Sequence, residues 1–150
     1  MTEVLFYHLQ RQPLERVLPS LLEKSYERGW RVVVQAASDE RIDALDSHLW
    51  TYRDDNFLPH GTAREAEPAA QPILLTTADH NPNGATVRFL VDGVPMPPDA
   101  KSYERIVLLF DGEDEDAVAM ARARWAEAKE QGFDVTYWQP DDQGRWVKKA

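Results

Sequence analysis

The sequence predicts a single α/β domain of three layers, α/β/α, with helices on both faces of an open, mostly parallel, Rossmann-like sheet. Three observations predict it. Runs such as Val4-Leu5-Phe6-Tyr7-His8-Leu9 and Arg31-Val32-Val33-Val34-Gln35-Ala36 are apolar without polar alternation, as strands buried on both faces require. Segments with apolar residues spaced by three or four lie between such runs, and strand–helix–strand–helix order implies parallel pairing through crossovers. At 150 residues, 43% hydrophobic and without cysteine, the chain is long enough for one core and too short for a second full domain.

The first strand is Val4 to Leu9. Pro13 then opens a helix in which Leu14, Val17, Leu18, Leu21 and Leu22 share one face, with Gly29 as its stop after about Arg28. Pro19 is tolerable there only near the first turn or as a kink. Arg31 to Ala36 is the second strand, and Ser38-Asp39-Glu40 starts a helix carrying Ile42, Leu45, Leu49 and Trp50 at helical spacing. Residues 51–70 lose periodicity and read as a long loop that still holds Phe57 and Leu58. Pro72 to Thr76 is a third strand, and the turn residues of 78–84 lead to a fourth, Thr86 to Val91. After Asp92-Gly93 and a proline-rich interruption come a fifth strand, Tyr103 to Phe110, and the longest helix, Glu113 to Glu130, ended by Gly132. Phe133 to Trp138 is a sixth strand; a short extension begins at about residue 139, where Asp141-Asp142-Gln143-Gly144 turns into Arg145 to Lys149.

Composition narrows the function. Without cysteine, disulfides, thiolate metal sites and a cysteine nucleophile are excluded. No apolar run reaches the length of a membrane span and the start lacks a signal-peptide pattern, so a cytoplasmic protein without membrane contact is expected. The formal charge of −9 opposes a general nucleic-acid surface, because phosphate affinity rests on clustered Lys and Arg. Residues 1–120 hold 11 basic and 21 acidic side chains, whereas residues 121–150 hold six and five, so local positive character is confined to the last fifth. That asymmetry suits a short acidic partner.

The phosphate-binding motifs GxxxxGK[ST] and GxGxxG are absent, as are GxSxG and HExxH. His8, His48, His60 and His80 include no i, i+4 pair, so neither a metal site nor another cofactor is expected. The acidic run Asp111 to Asp116 reads as a solvated helix start complementing the macrodipole, with magnesium ligation the alternative. Two constellations remain. On the long helix Val118, Arg122, Trp125 and Lys129 fall within about 60° of one another. Either Trp125 packs in the core while Arg122 and Lys129 snorkel past it, or the face offers an aromatic plate between two cations for a peptide with an apolar side chain and a carboxylate. The second is Leu45-Asp46-Ser47-His48-Leu49-Trp50 followed by Phe57-Leu58-Pro59-His60-Gly61, which either tucks its apolar residues under itself or shows them to another protein.

These residues, with the opening Val4-Leu5-Phe6-Tyr7-His8-Leu9 and Ala121-Arg122-x-Arg124-Trp125-x-x-x-Lys129-x-x-Gly132-Phe133, resemble the chi subunit of bacterial DNA polymerase III over nearly the whole chain. The resemblance implies a non-enzymatic adaptor of the clamp-loader assembly. One face would bind the acidic, Phe-ended C-terminal tail of the single-stranded-DNA-binding protein, and another the psi subunit or a clamp-loader component. Arg122 then matches the tail-binding arginine, pairing with carboxylates, and Trp125 the aromatic lining the terminal Phe pocket, with Phe110 and Asp111 beside them. The family's basic positions fall on Val118 and Ala126 here, so Lys129, Arg124 or the basic residues Arg145, Lys148 and Lys149 would substitute. Trp50, Phe57, Leu58, Pro59 and His60 match the surface for the second partner.

Two rivals remain open on the residues alone. An enzyme binding a nucleotide or metal at the C-terminal edge of the sheet would use Asp39, Asp111 and His8. Direct single-strand binding through Trp125, Trp138 and Trp146 has stacking groups but no evident basic groove.

Overall fold

The computed structural model describes residues 2–52, 58–64 and 67–150. In chain order the elements are β1 (Glu3–Leu9), α1 (Leu14–Glu27), β2 (Val32–Gln35), α2 (Asp39–Thr51), β3 (Gly61–Thr62), β4 (Ile73–Thr76), β5 (Val87–Leu90), β6 (Arg105–Asp111), α3 (Glu115–Glu130), β7 (Asp134–Pro140) and β8 (Trp146–Lys148). The protein is thus α/β, with one eight-stranded sheet in the order β3-β4-β2-β5-β6-β1-β7-β8. Every described strand pair is parallel except β7–β8. β1 is central, with Phe6 in register with Leu108 of β6 on one side and Tyr137 of β7 on the other.

Side chains alternate along the strands between two apolar clusters. Leu9, Val32, Val34, Phe89, Val107 and Leu109 join the buried faces of α1 and α2. Val4, Phe6, Val33, Leu90, Ile106 and Leu108 join Ala121, Ala128 and Phe133 of the α3 region. The uninterrupted apolar runs are therefore explained by burial on both sides.

Pro19 lies inside α1 and is buried. It cannot donate to the carbonyl of Glu15, and His48 of α2 donates its Nε2–H to that carbonyl instead. The proline thereby marks where α2 docks on α1. Gly29, at φ +79°, ends α1 as expected, its N–H bonding Tyr26 O while Trp30 N bonds Ser25 O.

One departure from the sequence expectation follows from a partner rather than propensity. Within the segment expected to be an irregular loop, Gly61–Thr62 pairs in parallel with Leu74 and Leu75 of β4. A Cβ on Gly61 would meet the Gln71 side chain at 2.6 Å, so glycine permits that approach. Beyond residue 139, β7 continues to Pro140 and turns through Gly144 into β8, so this segment forms the sheet edge.

Candidate functional site

α3 is fixed at both ends by local chemistry. Asp114 accepts the N–H groups of Asp116 and Ala117, Asp111 accepts that of Glu113, and Gly132 closes the helix at φ +85°. Its small residues Ala121 and Ala128 are buried against the sheet, which lets the larger Trp125 lie along the helix edge. Trp125 is half-buried. Its ring meets Phe6 of β1 edge-on at 5.4 Å and Tyr137 of β7 at 5.8 Å. Lys129 Nζ stands 5.3 Å from the ring centroid, and Arg122 is exposed one turn before it. Trp125 thus packs one edge into the core while Lys129 lies over its ring and Arg122 stays exposed.

Beneath this shelf the Tyr137 hydroxyl and His8 Nδ1 lie 2.5 Å apart. Burial raises the Tyr137 pKa, with Gln139 and the Arg122 charge acting the other way. Burial lowers the His8 pKa, opposed by Asp111. Both groups are therefore neutral near pH 7 and their bond is between uncharged partners. Phe110 is buried on β6, 5.2 Å from the His8 ring and 6.1 Å from Tyr137. It supports the shelf from below through these rings.

Arg124 points elsewhere. It pairs with Glu127 at 3.5 Å and lines a cavity of about 660 Å³ between the starts of α1 and α3. Of the other basic residues, Arg145 is tied to Asp141 in the turn before β8. Lys148 lies opposite Trp138 and Trp146 opposite Pro140, so these side chains lie on the α1 face of the sheet, away from α3. Trp125 therefore does not converge with Trp138 and Trp146.

The second candidate surface divides. Leu58 is 2% exposed and sits in the α1–α2 cluster. His60 is buried, with Nδ1 donating to Leu58 O at 2.7 Å and Nε2 3.1 Å from Asp46 Oδ1. Trp50 is 55% exposed, its ring centroid 5.0 Å from His60, and Pro59 is half-buried. Leu58 and His60 thus anchor the segment, with Trp50 exposed and Pro59 half-buried; Phe57 lies outside the described residues. Of the enzyme candidates, Asp39 and Asp111 are exposed at helix and strand ends, whereas His8 is buried against Tyr137. No cluster of three His, Asp or Glu able to hold a metal occurs among the described residues.

Sequence spacing missed Phe6, His8 and Tyr137 as members of the shelf, because they reach α3 from strands far away in the chain. Only the alternation Val135-x-Tyr137 signals that these two share a face.

The model of the family described as DNA polymerase III chi subunit, HolC, matches residues 1–136. The chain is 27% identical over 117 residues to a probable DNA polymerase III subunit chi of Rickettsia prowazekii, covering 74% of this chain and 71% of the relative. It is 26% identical over 137 residues to the DNA polymerase III subunit chi of Pseudomonas aeruginosa, covering 89% and 93%. A family match spanning every element from β1 into β7, with Arg122, Trp125 and Lys129 inside it, places the chain in the DNA polymerase III chi subunit family, a family of replication proteins.

Proposed function

We propose that the protein is a non-catalytic replisome adaptor in the cytoplasm, binding the acidic, Phe-ended C-terminal tail of the single-stranded-DNA-binding protein on the Trp125 shelf. The carrying observation is Trp125, half-buried, with Lys129 over its ring and exposed Arg122 beside it, on a chain of formal charge −9. The ring offers apolar contact for a terminal Phe, and the two cations pair with carboxylates. At the start of α3 the exposed carboxylates Glu113, Asp114 and Asp116 repel such a tail, which favours one register. Trp50 and Pro59 form the surface for a second partner, psi or another clamp-loader component, joining the tail-bearing protein to the loader.

Titration calorimetry with an acidic peptide ending in Pro-Phe tests this. Binding on the order of micromolar, about −8 kcal/mol, is expected. The same peptide without its Phe should not saturate. Arg122→Ala should weaken binding by roughly 1 kcal/mol, about fivefold, at an exposed position, with little change in stability. Equal affinity for the two peptides would remove the assignment.

The 660 Å³ cavity supports a second reading, a small-ligand site at the C-terminal ends of β1 and β6. Among the described residues six carboxylates line it against three arginines, and Arg41 is already bound to Glu15 and Asp92, which disfavours a phosphate ligand. Thermal shift against nucleotides and divalent cations separates the readings, since ligand at 100 times its dissociation constant adds about 2.7 kcal/mol.

A further inference from the structure

The face of the sheet opposite the shelf carries a concave surface that neither partner assignment uses. It lies between α1 and the β7–β8 hairpin and consists of two cavities, about 460 and 200 Å³, which share Lys24 and Trp146. Arg16 and Arg145 line one end, and Arg28 and Arg105 the other. Among the described residues no Asp or Glu lines either cavity, although the chain has 26 acidic residues against 17 Lys and Arg. Five cations from three separate parts of the sequence are thus gathered in a groove that the linear charge distribution did not reveal.

The geometry is that of a track. Arg16, Ser20 and Lys24 follow at four-residue steps, so they rise about 6 Å at a time along the α1 flank. Among the described residues Arg16, Lys24 and Arg28 form no ion pair, whereas Arg105 is held by Glu3 and Arg145 by Asp141. The wall facing α1 is aromatic: Trp146 tilts on Tyr7 with centroids 4.7 Å apart, and Trp138 stacks beside Tyr7 at 6.2 Å. The Tyr7 hydroxyl makes no hydrogen bond among the described residues, leaving a donor beside Arg28 and Arg105. At the deep end the Arg28 and Arg105 guanidinium carbons lie 4.9 and 5.1 Å from the Trp30 ring centroid, which orients both cations.

We propose that this groove binds single-stranded nucleic acid, with Arg16, Lys24 and Arg28 pairing with phosphates along the strand and Trp146 stacking a base. A row of cations beside the half-buried Trp146 matches a strand that bears one charge and one base per unit. An acidic peptide ending in one aromatic residue needs a single apolar pocket instead. The site is independent of the Trp125 shelf, so either assignment can fail without the other.

Fluorescence anisotropy of a labelled oligothymidylate of about 12 nucleotides tests it. With three unpaired cations engaged, log K should fall with log salt at a slope near −2, which is roughly a 20-fold loss between about 50 and 200 mM. The exposed pair Arg16→Glu and Lys24→Glu together should weaken binding by more than tenfold and bring the slope above −1, while the Phe-ended peptide still binds. Trp146→Leu keeps the apolar contact with Tyr7 but removes the ring, and should weaken binding several-fold with an unchanged slope. Absence of saturable binding at about 50 mM salt, equal binding by the charge-reversed protein, or displacement of the oligonucleotide by an acidic peptide of the same charge would overturn the proposal.

Discussion

Gly112 is the tightest point under the Trp125 shelf, and Gly112→Ala measures how firmly the shelf is packed. A Cβ there would lie 2.0 Å from His8 Nε2 and 2.2 Å from Cδ2. The ring cannot swing freely, because Phe110 meets it edge-on and Tyr137 holds Nδ1. Overpacking of this kind costs about 2–3 kcal/mol. Gly112 is not in the left-handed region, so alanine returns about 0.5–1 kcal/mol by restricting the unfolded chain. The net loss is about 2 kcal/mol, or roughly 4–8 °C in Tm for a chain of this size. Urea denaturation of a double-mutant cycle with His8→Ala isolates the clash. His8→Ala alone should cost about 1–2 kcal/mol by removing the Tyr137 hydroxyl's bond to Nδ1 and the ring's contact with Phe110. The double variant should be at least about 1 kcal/mol more stable than the sum of the single losses. Additivity within about 0.4 kcal/mol would show that the two side chains do not collide and would refute the reasoning.

Three further outcomes are expected. Arg88 is fully buried on β5 and donates to Gln35 Oε1, to the Ala78 and His80 carbonyls and to the Tyr103 hydroxyl; Arg88→Met should therefore cost about 3–5 kcal/mol in urea denaturation, with amide exchange speeding first in residues 77–86. Burial holds the His8 pKa below the ordinary imidazole value, so the unfolded chain takes up this proton first. The stability His8 contributes should be complete above about pH 6.5 and fall as pH drops towards the lower folded value, and His8→Gln should flatten that part of the urea-midpoint profile between about pH 7 and 5. Asp114→Ala removes the acceptor for two N–H groups at the start of α3 and should lower stability by about 1 kcal/mol in thermal denaturation.

The parts of the fold written as one-dimensional patterns were legible in the sequence. Val32-Val33-Val34 reads as a strand because both its faces are buried, and Gly29 and Gly132 read as helix stops because both adopt positive φ. β3 was illegible because two residues carry no period and exist as a strand only through β4. On α3, spacing did bring Arg122, Trp125 and Lys129 to one edge of the helix, but Arg124, two positions from Arg122, falls on another side beside the 660 Å³ cavity. The support for Trp125 comes from Phe6 and Tyr137, whose positions are set by β1–β7 register, and no local pattern encodes that register. The groove between α1 and the hairpin was hidden for the same reason: Lys24, Arg105 and Arg145 are neighbours only after folding.

The short strands at the two ends of the sheet bear on how the molecule avoids self-assembly. An open sheet presents unpaired N–H and C=O groups at its margins, where a second chain can add a strand and begin an aggregate. Here one margin is the two-residue β3 and the other the three-residue β8, which carries Lys148 and is followed by Lys149. Neither offers a template long enough for stable addition, and the lysines repel a like copy. The seven-residue β7 is the long strand next to the margin, and β8 together with the Tyr137–Lys149 and Tyr137–Ala150 backbone bonds covers it. Residues 141–150 therefore act as a selvedge, keeping a sheet rich in buried valine and leucine from growing sideways into its neighbours.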